Sequence, residues 1–148
     1  MQENLSSLSS ETYIVNCTER NFHDSINFCM SKGWTIASFQ SEEDFNEAKG
    51  KINCDVYIGA TSDGNGNWKW IDDSTWWAHA NSDGLKGKKE TKIVVRKSDL
   101  KWNDWSNGDI LKGVICKNPG TFQNQLLLKM KNRKYYLWFC IDISLKLF

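Results

Sequence analysis

The chain has 148 residues and a formal charge of +1 at pH 7, enough length for one domain with a buried core. That near-neutral balance offers no general basic field to draw nucleic acid. Eight Trp, ten Gly and a single Pro argue against a disordered linker protein and for aromatic-rich cores or recognition surfaces.

The Ser-rich residues 1–12 are polar and are expected to form a disordered lead-in. The start carries neither a basic n-region nor an apolar h-region. The cysteines Cys17, Cys29, Cys54, Cys116 and Cys140 are widely spaced and include no CxxC pair, which argues against zinc ribbons and thioredoxin-like motifs. Two compartments therefore remain open. One is a secreted, disulfide-bonded protein whose leader is missing from this sequence, and the other is a cytosolic protein with reduced thiols. The first is preferred, and the sequons Asn4-Leu5-Ser6 and Asn16-Cys17-Thr18 are compatible with a secreted glycoprotein.

Thr12–Cys17 alternates and is rich in β-branched residues, so it reads as a strand. Phe22, Ile26, Cys29 and Met30 recur at helical spacing, with Gly33 as the C-cap. Trp34–Phe39 is a short apolar strand. Ser41 opens a second helix with acids in its first turn and Gly50 at its end. Asp55–Ala60 and Asn67–Asp72 read as strands around a Gly/Asn/Asp turn. Asp73–Lys92 has little apolar periodicity and is a long polar loop, functional or disordered. Ile93–Arg96 and Gly113–Cys116 are strands of buried type. A strand, two helices and further strands interrupted by one long loop make an α+β domain.

Between the last two strands, Asn103 and Asp104 stand between Trp102 and Trp105. Their oxygens suit a hard cation such as Ca²⁺, and tryptophans line sugar sites, although a surface turn with incidental aromatics reads the same way locally. After Pro119 a basic cluster (Lys129, Lys131, Arg133, Lys134) precedes an apolar end that is too short and too charged to span a bilayer. No role is assigned to residues 118–148.

Taken in order, "SINFC" at Ser25–Cys29, "GWTIASF", "SEEDF", "YIGA", "WKWIDDS", "KWND" and "VIC" resemble a C-type lectin-like domain over Tyr13–Lys117. The resemblance implies two helices packed on small antiparallel sheets, with a long functional loop and disulfide staples. It implies that Cys29 pairs with Cys116. Cys17 and Cys54 are then a candidate second pair, and Cys140 is the odd cysteine. The family's usual second bridge would fall at about Ile93 and Asn107, where both cysteines are gone. Trp68, Trp70, Trp77 and Trp102 are expected as core or loop anchors, and Trp76 and Trp105 as exposed recognition residues.

In sugar-binding members a loop Ca²⁺ is held by a Glu/Gln-Pro-Asn/Asp triplet, a later Glu and the Asn-Asp of Trp-Asn-Asp, and sugar hydroxyls complete the shell. Asn103 and Asp104 match that motif, Asn81-Ser82-Asp83 takes the place of the triplet, and Glu90 is the later acid. Ser82 stands where the family has a cis-proline, and Gly84 where an auxiliary cation site needs an acid. The expected function is thus calcium-dependent binding of glycans or glycoproteins at Asn81, Asp83, Glu90, Asn103 and Asp104. The alternative is a metal-independent module binding a protein or glycan. Lys86, Lys88 and Lys89 would oppose a cation nearby, and such a run could serve an acidic partner but more commonly marks a solvated face. The sugar class is not readable. Catalysis is not expected: the two histidines are His23 and His79, and no Ser/His/Asp order, HExxH, P-loop or GxGxxG appears. His79 is expected to be a solvated loop residue.

Overall fold

The helices form where local caps dictate. In the computed structural model, which describes residues 11–120, α1 (Phe22–Ser31) begins after Asn21, whose side chain accepts from the Asp24 amide at 2.8 Å. Its buried residues Phe22, Ser25, Ile26, Cys29 and Met30 share one face. It ends at Lys32, and Gly33 then takes φ +74°, the left-handed turn that glycine tolerates. α2 (Glu42–Lys49) begins at Ser41, whose hydroxyl accepts from the Asp44 amide at 3.2 Å. Glu42, Glu43 and Asp44 in its first turn and Lys49 in its last complement the helix dipole. Expectations for residues 1–10 and 121–148, Cys140 and the basic cluster among them, lie outside the described residues.

Among the described residues seven strands build one sheet: β1 (Tyr13–Arg20), β2 (Thr35–Ile36), β3 (Val56–Ser62), β4 (Trp68–Trp70), β5 (Lys92–Val95), β6 (Trp102–Ser106) and β7 (Lys112–Lys117). The main order is β1-β7-β3-β5-β6, with β2 paired to β7 and β4 to β3. All pairs are antiparallel except β3 with β7. The expected small antiparallel sheets are thus joined through that parallel pair. Thr12 and Glu11, assigned to the lead-in, already join the sheet margin, because Asn118 donates to both of their carbonyls.

β6 is the main departure from the sequence reading, which left this stretch between strands. Asn and Asp are poor strand formers, yet tertiary pairing with β5 overrides that preference. Alternation then turns Trp102, Asp104 and Ser106 inward, while Asn103 and Trp105 face out.

Cys29–Cys116 and Cys17–Cys54 are both bridged, with Cα separations of 5.6 and 6.0 Å. The first ties α1 to β7, and the second ties β1 to the approach to β3. Tyr57 is fully buried. It donates its hydroxyl hydrogen to the Ile110 carbonyl at 2.7 Å and lies 2.9 Å from the Ser106 hydroxyl. Burial pushes the Tyr57 phenol above its usual pKa, so it remains a neutral donor.

Candidate functional site

The long loop between β4 and β5 is anchored by its aromatics. Trp76, expected at the recognition surface, lies half-buried, stacked on Trp68 with ring centroids 6.2 Å apart and 4.8 Å from Trp70. Trp77 meets Trp102 edge-on at 5.7 Å. His79 also differs from expectation. Its side chain is only 12% exposed, its ring centroid lies 4.6 Å from that of Phe45, and its Nδ1 is 3.0 Å from Glu42 Oε2. The loop histidine therefore pins the loop to α2 rather than facing solvent.

Residues 81–83 then zip onto the start of β6. The Trp102 amide donates to the Asn81 carbonyl at 3.2 Å, and the Asp83 amide donates to the Trp102 carbonyl at 2.9 Å. The peptide bonds among the described residues are all trans, including those at Ser82.

Farther on, the loop is clasped from two sides. Asp104, 8% exposed, accepts at Oδ2 from the amides of Lys86 at 2.9 Å and Gly87 at 3.0 Å. From the opposite side Ser62 donates its hydroxyl to the Gly87 carbonyl at 2.6 Å, and Trp68 Nε1 donates to the Leu85 carbonyl at 3.2 Å. Gly87 has φ +61°, and a Cβ there would sit 2.5 Å from the Ser62 hydroxyl. Only glycine fits this close approach with that backbone.

Against this frame the predicted site residues separate. Asp83, Glu90, Asn103 and Asp104 share one open cleft of about 500 Å³ with Lys86, Lys88 and Lys89. Asn81 is not part of its lining, and its amide nitrogen reaches toward the Asp99 carbonyl at 3.5 Å. Asp83 Oδ2 is 2.8 Å from Arg96 and its Oδ1 is 3.8 Å from Lys101. Arg96 also grips Asp99 through two side-chain bonds. The Lys101 amide and the guanidinium together hold the Asp99 carboxyl below its usual pKa, and the bond to Asp99 raises that of Arg96. Sequence reasoning missed Arg96 and Lys101, because no local signal brings the end of β5 and the start of β6 to Asp83. Trp105 is 39% exposed, with Lys112 Nζ 4.1 Å from its ring centroid.

This donor set does not fit a calcium ion. Ca²⁺ needs about six to eight oxygens converging on it. Asp83 is already neutralised by a guanidinium and an ammonium, one oxygen of Asp104 is committed to two amides, Asn81 lies off the cleft, and three lysines line it. Among the described residues no group of three or more His, Cys, Asp or Glu is placed to hold a metal.

Asp104 acts here as a clasp, and its substitutions are expected to divide accordingly. Asp104→Ala strands two loop amides and should cost about 2–3 kcal/mol. Asp104→Asn keeps an acceptor oxygen and should recover most of that loss. Thermal unfolding of both variants in EDTA checks the pair, and equal losses would contradict the clasp.

No protein-family model and no curated protein matches the chain. Solved structures do. The herring type II antifreeze protein is 25% identical, with a TM-score of 0.57 over 70% of this chain and 87% of its own. The C-type lectin domain of murine dendritic cell inhibitory receptor 2, in complex with N-glycan, is 18% identical, with a TM-score of 0.58 over 70% and 87%. A calcium-independent type II antifreeze protein is 20% identical, with a TM-score of 0.59 over 70% and 82%. The described chain thus has the fold of a C-type lectin-like domain. The neighbours on that fold include both a domain solved with a glycan and a calcium-independent protein.

Proposed function

We propose that the chain is an extracellular carbohydrate-binding module whose long-loop cleft grips glycans or glycoproteins directly, without a bridging calcium ion. One observation carries this reading. The cleft between the loop and β6 presents free-facing polar groups (Asn103, Glu90 and the lysines), while Asp83 and Asp104 are spent on holding its walls. Sugar hydroxyls both donate and accept, and a cleft mixing amide, carboxylate and ammonium groups can satisfy them without a metal. Trp105 lies on the same side of β6 as Asn103, outside the cleft's lining, with Lys112 over its ring. The glycan-bound neighbour supports the ligand class. The fold's neighbours include both a calcium-dependent and a calcium-independent antifreeze protein, so the calcium-free reading rests on the cleft's own residues.

Residues 13–117 are the binding unit in this proposal. Its two disulfides favour an oxidising, extracellular setting. Among the described residues no helix is long and apolar enough to cross a membrane. A glycan array probed in EDTA tests the proposal. Bound spots should persist in EDTA and fade with Asn103→Ala. Spots that appear only with added Ca²⁺ would restore the calcium-bridged site at Asn81, Asp83, Glu90, Asn103 and Asp104.

A further inference from the structure

We propose that the cleft selects anionic sugars, those carrying sulfate or carboxylate, over neutral ones. The inference rests on the glycan reading and deepens it. Seven of the cleft's eight lining residues are polar or charged, so the charges decide its preference once those already spent are set aside. Asp83 is paired with Arg96 at 2.8 Å and faces Lys101 at 3.8 Å. Asp104 is turned inward, and its Oδ2 is covered by the amides of Lys86 and Gly87. The charge of Asp83 is thus offset by its cations, while Asp104 keeps its negative charge but directs Oδ2 at the loop backbone rather than at a ligand.

What remains is Lys86, Lys88 and Lys89 against Glu90 and the inward-turned Asp104, an excess of one ammonium group. The three lysines are exposed and make no ion pair among the described residues. The whole chain carries only +1, so this excess of ammonium groups is local to the cleft. Lysines on flexible stems act as point charges for an anionic group and need no fork-like geometry. Asn103 and Glu90 beside them supply a donor and acceptors for ring hydroxyls. The cleft volume of about 500 Å³ lies within the usual range of small-ligand sites and suits a short sugar segment.

The test uses the oxidised full chain in EDTA and three probes: a chondroitin sulfate hexasaccharide, its chemically desulfated counterpart reduced to a neutral sugar, and a polyglutamate peptide of matched charge. The sulfated sugar should bind about tenfold or more tightly than the neutral one at 0.15 M salt, and lose that advantage at 0.5 M salt. Lys88→Ala with Lys89→Ala should weaken it about tenfold while leaving the melting temperature unchanged. Glu90→Gln should strengthen it several-fold, the opposite of what a calcium ligand would show.

Equal binding of the sulfated and neutral sugars would overturn the anionic preference and leave the glycan reading standing. Polyglutamate binding as tightly as the sulfated sugar would overturn the sugar class in favour of acidic chains in general. No binding by either sugar, in EDTA or in Ca²⁺, would count against the selectivity, and with a blank array it would remove the glycan reading as well.

Discussion

Replacing both Cys29 and Cys116 with alanine is expected to cost about 4–5 kcal/mol and lower the melting temperature by roughly 15–20 °C. The bridge joins positions 87 residues apart and confines the unfolded chain accordingly. Both sulfurs are fully buried against Ile36, Met30 and Val114, so the substitution also removes packed volume. Cys17–Cys54 is a useful comparison. It spans 37 residues, and the shorter loop alone makes it weaker by about 0.8 kcal/mol. Cys17 is exposed and Cys54 only half-buried, so little packing is lost with them. Removing Cys29–Cys116 should therefore hurt clearly more, as denaturant unfolding of the two double variants would show. Equal losses would contradict both the loop-length difference and the packing contribution of the buried pair.

Trp102→Ala should be nearly as severe, at about 3–5 kcal/mol. The ring is fully buried, with centroids of Phe39, Phe45, Trp70, Trp77 and His79 between 5.5 and 6.0 Å away. Its contacts with Phe45, Trp70 and Trp77 are edge-to-face, a favoured aromatic geometry. Trp102 is thus where the core under α2 meets the long loop. Its loss should loosen that loop as well as the core, raising proteolysis at Lys86, Lys88 and Lys89. Its indole N–H has no partner among the described residues. Trp102→Phe therefore gives up no hydrogen bond and should cost less than half as much as the alanine change. A phenylalanine variant as unstable as the alanine variant would point to a missing acceptor for that N–H.

The parts of this fold that could be read from the chain are those specified by local chemistry. Ser41 with its trailing acids, Gly33 after a helical stripe, and the apolar runs at β3, β5 and β7 each encode an element within a few residues. Cys29 with Cys116 was implied only by resemblance, because spacing alone does not pair cysteines. β6 was not legible, since Asn and Asp mask a strand whose alternation depends on β5 beside it. His79 looked solvated because nothing near it in sequence reveals Phe45 and Glu42 around it.

The candidate site was legible in its residue types and not in its bonds. Asn103, Asp104, Asp83 and Glu90 line one cleft, and Asn81 lies outside its lining. What the pattern could not contain was Arg96 reaching Asp83, or the Gly87 and Lys86 amides reaching Asp104. Those contacts come from distant strands and a glycine turn, and they change oxygen donors suited to a cation into the struts of a polar cleft.

Calorimetric titration of Ca²⁺ into the oxidised chain tests that change most directly, with Asp104→Ala titrated alongside. The committed carboxylates and the lysine-lined cleft predict no saturable heat, and a melting temperature indifferent to EDTA. A one-site isotherm that disappears in Asp104→Ala would contradict it, and would return Asn103 and Asp104 to the role of cation ligands.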